Sequence, residues 1–170
     1  MTPEFVAINP KRRVSVLAID NEVITEMSAV LTGIPPLAPH LNLLGRTTIE
    51  NIRVYEWLNY LSTVAHAQAF GSIWCSEQFS DDKSAFPEIQ AKGVKVIREV
   101  YKHIDEKVEG RGFAVGGGFT AVDAFLVVLF CWARRIGIDV EGENPFYAEY
   151  AKRLLKRKSF IRAREVHVDV

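Results

Sequence analysis

The sequence predicts a mainly α-helical chain that opens with a short β-β-α unit. Two observations carry this. The run Val14 to Ile19 reads VSVLAI, is followed by the turn formers Asp20-Asn21, and resumes in extended fashion at Glu22-Val23-Ile24, a compact hairpin signal. Beyond the prolines Pro35, Pro36 and Pro39, apolar residues recur at helical spacing almost to the end. These signals divide the chain into residues 1–34 (hairpin plus helix), a linker over 35–45, and an all-α unit over 46–170.

Each element has its own cue. Thr25 is a hydroxyl-bearing residue suited to accept an orphan amide, so it is expected to cap a short helix over Glu26 to Leu31, ended by Gly33 and the proline pair. Thr47 or Thr48 opens a long helix through Trp74, with Ile52, Tyr55, Leu58 and Leu61 as its apolar residues. A second helix is predicted from about Glu88 to Val108, with Ile89, Val94, Ile97, Val100, Tyr101 and Ile104 on its apolar face. Gly110, Gly112 and Gly116-Gly117-Gly118 mark a turn. That cluster lacks the Lys-Ser/Thr ending of a phosphate loop, and no strand leads into it. Thr120 and Asp123 form an acidic capping box ahead of AFLVVLFCWA, a helix apolar nearly all round and therefore central. Phe146 to Arg157 reads as amphipathic, and Ser159 as the cap of a last short helix.

Composition narrows the function classes. Of 170 residues, 48% are hydrophobic and 25% charged, an ordinary globular balance that argues against disorder. The formal net charge of +0 disfavours nucleic-acid binding through a global basic field. Cys75 and Cys131 are too few for a disulfide scaffold and suit a reducing compartment. No apolar run approaches the ~20 residues that span a bilayer, and the start lacks a signal-peptide core. A cytoplasmic location, with no membrane partner, is the expectation. No His/Cys/Asp cluster has metal-ligand spacing.

The motifs themselves resemble the cytosolic glutathione transferases, most closely the bacterial beta-like branch. Asn9-Pro10-Lys11-Arg12-Arg13-Val14-Ser15-Val16-Leu17 is similar to the family's N-P-x-G-x-V-P-x-L, and Thr25-Glu26-Met27-Ser28-Ala29-Val30 to its T-E-S-x-A-I. Glu56-Trp57-Leu58-Asn59-Tyr60 followed by His66 resembles the start of the first bundle helix. Phe119-Thr120-Ala121-Val122-Asp123-Ala124 is similar to the F-[ST]-x-A-D-[AI] capping motif. The implied fold is a glutathione-transferase-like helical bundle preceded by a partial thioredoxin-like β-β-α unit. Two departures stand out. The family's opening strand, helix and strand, which carry the residue facing the glutathione sulfur, have no counterpart before Asn9. Ser15 also replaces the family's cis-proline. A cis bond before a non-proline residue costs ~3 kcal/mol, so a trans or strained loop is expected there.

The resemblance implies glutathione as co-substrate and assigns residues to it. Arg13 meets the glycyl carboxylate, the Val14 backbone the cysteinyl part, and Glu26 the ammonium. The amides of Met27 and Ser28 meet the γ-glutamyl carboxylate at a helix start. Glu26 also reads simply as a first-turn acid. His66 is the catalytic candidate, an imidazole able to stabilise a thiolate or move a proton near neutral pH, or else a histidine hydrogen-bonded at the unit interface. Asn59 is a glutathione contact or a helix-helix bond. Tyr55, Phe70 and Trp74 line an apolar substrate pocket or belong to the core. Thr120 and Asp123 are structural, and Cys75 has no neighbour that would activate it.

The implied function is an enzyme that uses glutathione on a small conjugated apolar electrophile, by thiolate addition or by addition-elimination that isomerises a double bond, in small-molecule metabolism or biosynthesis. A non-catalytic binding or assembly module is the alternative, and a fragment that keeps the core with little activity is a third reading. An open hairpin edge beside exposed Val14 and Val16 implies a homodimer.

Overall fold

A computed structural model describes residues 2–166. Strands β1 (Val16–Ile19) and β2 (Glu22–Thr25) form an antiparallel hairpin in the register Val16↔Thr25 to Ile19↔Glu22. Asp20 takes φ 52° in the two-residue turn, as the tight hairpin geometry requires of a residue there. Ahead of the hairpin lies a helix the sequence reading did not anticipate, α1 (Pro3–Ile8). Thr2 caps it by accepting the Phe5 amide at 3.3 Å, and Pro3 and Glu4 suit its first turn. Buried Asn9 then fixes the loop into β1, its side-chain amide donating to the Arg13 carbonyl at 2.6 Å.

The next helix, α2 (Met27–Gly33), begins one residue later than expected. Thr25 does not cap it. It completes the β2 ladder instead, and Glu26 stands at the cap position with φ 74° and without a side-chain cap bond. The peptide bond between Val14 and Ser15 is cis, against the trans or strained loop read from Ser15. Short 3-10 turns at Pro35–Leu37 and Pro39–Leu41 carry the chain to α3 (Thr48–Tyr60). A capping box opens α3: the Glu50 amide donates to Thr47 Oγ1 at 3.2 Å, and Glu50 Oε2 accepts the Thr47 amide at 3.3 Å.

Helix α3 does not run on as regular α-helix. A π-helical segment, Leu61–Phe70, follows it and gives way to α4 (Gly71–Trp74). At the junction the hydroxyls of Ser62 and Thr63 both donate to the Asn59 carbonyl, at 3.1 and 2.7 Å, competing with the backbone ladder. On α3, Val54 and Leu58 are the buried residues, whereas Ile52 and Tyr55 face outward.

Helix α5 (Phe86–Val108) buries Ile97, Val100, Tyr101 and Ile104 of the face read from spacing, whereas Ile89 and Val94 are half-buried. It approaches the π segment closely at Gly93, where a Cβ would stand 2.8 Å from the Ala69 carbonyl oxygen. Helix α6 (Ala121–Ala133) is the bundle's centre, with Val122, Leu126 and Leu129 fully buried. A short α7 (Val140–Glu143), not anticipated, precedes α8 (Pro145–Leu155) and α9 (Lys158–Val166). Ser159 lies inside α9 rather than capping it.

A buried polar node holds this arrangement. Asp123 Oδ2 accepts the Thr120 amide at 2.6 Å and its hydroxyl at 3.0 Å. Asp123 Oδ1 accepts the Ala114 amide at 2.9 Å and the Tyr150 hydroxyl. One carboxylate thus ties the α6 start to the preceding loop and to α8, which agrees with the structural role read from the sequence. Burial and the neighbouring Asp123 charge push the Tyr150 hydroxyl's pKa upward, keeping it a donor.

Candidate functional site

A cleft of about 560 Å³ opens where the β1 approach and the start of α2 face the π segment, α4 and the end of α6. Its polar side is built from Arg13, Val14, Glu26, Met27 and Ser28, all singled out in the sequence. Opposite them stand His66 and Phe70 on the π segment and Trp74 on α4. Eight sequence-assigned residues therefore share one cavity. Tyr55 and Asn59 do not line it; both are exposed on α3.

Local bonds explain why the polar side is rigid. The Ser28 hydroxyl lies 3.3 Å from Ser62 Oγ and 3.4 Å from the Leu58 carbonyl, pinning the first turn of α2 to the long helix. Glu26, at φ 74°, occupies a region disfavoured for non-glycine residues, and such strain of about 1–3 kcal/mol persists where surroundings over-determine it. Its carboxylate pairs with Lys11, and Arg13 donates to Gln78 Oε1 at 2.9 Å. Both contacts are exposed, so both are weak and exchangeable.

The opposite wall is aromatic. Phe70, Trp74 and Trp132 form a cluster with ring centroids 4.7 to 5.1 Å apart, and His66 lies 5.6 Å from the Trp132 ring. Burial, reinforced by the Arg13 charge, lowers the His66 pKa below its ordinary value. The imidazole is therefore neutral at pH 7 and able to accept a proton. Met27 stands where the T-E-S-x-A-I motif has serine, so the α2 start offers amides but no hydroxyl at that position.

Sequence reasoning left seven lining residues unassigned to the cleft, among them Trp132, Cys75 and Gln78. Trp132 was hidden in a helix read as uniformly buried, and only its place at the helix end, where the apolar run stops, distinguishes it. Gln78 and Cys75 sit on the turn after α4 and enter the cleft only because that turn folds back toward Arg13.

The aligned chain architecture decides the fold. A glutathione transferase homologue from Sulfitobacter, solved with bound glutathione, superposes with a TM-score of 0.88 at 21% identity, over 96% of this chain and 78% of that one. The fold is that of the glutathione transferases. A sphingomonad glutathione S-transferase complexed with glutathione shares this transferase fold at a TM-score of 0.83 and 25% identity, over 95% of this chain and 77% of that one. Among curated proteins, glutathione S-transferase GST-4.5 of Xanthomonas campestris pv. campestris is 24% identical over 154 residues, 90% of this chain and 75% of its own length. No family model matches the chain. Among the described residues, no helix is long and apolar enough to cross a membrane.

Proposed function

We propose that the cleft binds glutathione and presents its sulfur to a small conjugated electrophile. The carrying observation is the gathering of Arg13, Val14, Glu26, Met27, Ser28 and His66 around one cavity, facing an aromatic wall. Arg13 takes the glycyl carboxylate and Glu26 the ammonium. The Met27 and Ser28 amides, unpaired at the start of a helix, take the γ-glutamyl carboxylate. Solved neighbours of the same fold carry glutathione, which supports this assignment. Binding requires Glu26 to leave Lys11 and Arg13 to leave Gln78, exchanges of solvent-exposed contacts worth at most about 1 kcal/mol each.

Neutral His66 then accepts the thiol proton, and the thiolate adds to the electrophile held against Phe70, Trp74 and Trp132. Protonation of the resulting carbanion gives the conjugate. Rotation about the former double bond, followed by expulsion of the thiolate, gives the geometric isomer. Asn59 and Tyr55, outside the lining, take no part in this route within one chain. A cis-configured enone incubated with glutathione and the protein, followed by proton NMR, tests the reading. Conjugate or trans isomer above the uncatalysed rate supports it; neither, with glutathione bound, leaves a binding module.

The chain acts as a homodimer in this reading. The hairpin carries no third strand among the described residues, Val14 is 74% exposed, and Ile49, Ile52 and Tyr55 form an outward apolar strip on α3. A monomer by sedimentation at micromolar concentration contradicts the dimer.

A further inference from the structure

The glycine run set aside in the sequence lines a cavity of its own, about 630 Å³, on a different part of the bundle from the cleft. Two arginines reach it from separate elements. Arg46, from the turn before α3, brings its Nη2 within 3.7 Å of the position a Cβ on Gly118 would take. Arg157, between α8 and α9, lies with its guanidinium 4.3 Å from the Phe119 ring centroid. Among the described residues, neither guanidinium has a carboxylate within 4.0 Å, and the Gly117 and Gly118 amides donate to no protein acceptor. The one acid in the lining, Glu50, has Oε2 engaged by the Arg46 and Thr47 amides at 2.6 and 3.3 Å. Phe113 and Phe119, edge to face at 6.4 Å, supply an apolar wall beside these donors.

We propose that this cavity binds a phosphate monoester bearing an apolar group. The Arg46 and Arg157 guanidinium groups and the Gly117 and Gly118 amides hold the oxyanion, while Phe113 and Phe119 meet the apolar part. Two guanidinium forks suit a multidentate tetrahedral oxyanion, and backbone amides without a protein acceptor beside them add donors. The glycine run is not a P-loop: it has no lysine-serine ending and no leading strand. It is independent of the glutathione assignment, being built from other residues.

Calorimetry with n-octyl phosphate, inorganic phosphate and 1-octanol tests it on the full chain. Octyl phosphate is expected to saturate one site per chain, with the other two at least tenfold weaker. R46Q and R157Q each weaken it about tenfold, the loss of one charge-assisted contact. Both arginines are exposed, so the variants are expected to fold, and unchanged thermal unfolding verifies this. In a backbone NMR titration, the Gly117 and Gly118 amides shift. Co-sedimentation with phosphatidic acid vesicles marks a lipid source, and saturation by octyl phosphate without sedimentation marks a soluble ester. Equal binding of octanol, undiminished binding in both variants, or displacement of octyl phosphate by glutathione overturns the proposal.

Discussion

Replacing Asp123 tests how much of the bundle hangs on one carboxylate. The side chain is fully buried and accepts two backbone amides, from Thr120 and Ala114, and two hydroxyls, from Thr120 and Tyr150. In Asp123→Ala the hydroxyls can rotate toward other acceptors, but the amides cannot. Each buried amide left without a partner costs about 1–3 kcal/mol. Relief of the buried charge trims the sum, and lost packing adds to it. The expected destabilisation is about 3–5 kcal/mol, a large share of the ~5–15 kcal/mol a domain has. Asp123→Asn keeps one acceptor oxygen for Ala114 and Tyr150 but turns an NH₂ toward the Thr120 amide, so about 2 kcal/mol is expected. Urea unfolding reads both through the midpoint, with the slope unchanged. A loss below about 1 kcal/mol in Asp123→Ala, or equal losses in both variants, refutes the reasoning.

Other outcomes follow from the cleft. Arg13→Gln removes a charge that lowers the His66 pKa, so the imidazole's NMR titration midpoint rises; an unchanged midpoint contradicts that coupling. Because His66 binds its proton more weakly when folded, its contribution to stability is full above the unfolded value near 6.5 and is lost as pH falls through the folded value. His66→Gln therefore flattens the acid side of the stability profile measured by denaturant midpoints. Lys11→Gln frees Glu26 at a stability cost under about 1 kcal/mol and tightens glutathione binding up to about fivefold, read by calorimetry. Gly93→Ala forces a methyl against the Ala69 carbonyl at 2.8 Å, which backbone cannot yield cheaply. It is expected to cost about 1–3 kcal/mol in thermal unfolding despite the better helix propensity.

Much of the fold was legible because its signals are local. The VSVLAI run with Asp20-Asn21 specified the hairpin, and the Thr120/Asp123 pair specified the central helix start, since both depend on neighbours within a few residues. The α1 helix was overlooked although Thr2, Pro3 and Glu4 are a helix-start signature; its six residues are too short for a periodic pattern to stand out. The Thr25 cap failed because the β2 ladder claimed that residue, a tertiary choice that propensity does not report. The π stretch came from hydroxyls of Ser62 and Thr63 competing for one carbonyl, a contest invisible in apolar spacing. At the cleft, residues tied to motifs were found, whereas Trp132 and Gln78 enter it from distant parts of the chain. Asn59 shows the converse: a motif places it near His66 in sequence, but its side chain is exposed and outside the cleft lining.

The central claim is that glutathione binds between the hairpin unit and the long helix, on Arg13 and Glu26. Calorimetric titration of the full chain with glutathione tests it most directly. Saturable heat at one site per chain, weakened at least about fivefold by Arg13→Gln and by Glu26→Gln, is the predicted result. Absence of heat at millimolar glutathione, or affinity that neither substitution alters, contradicts it.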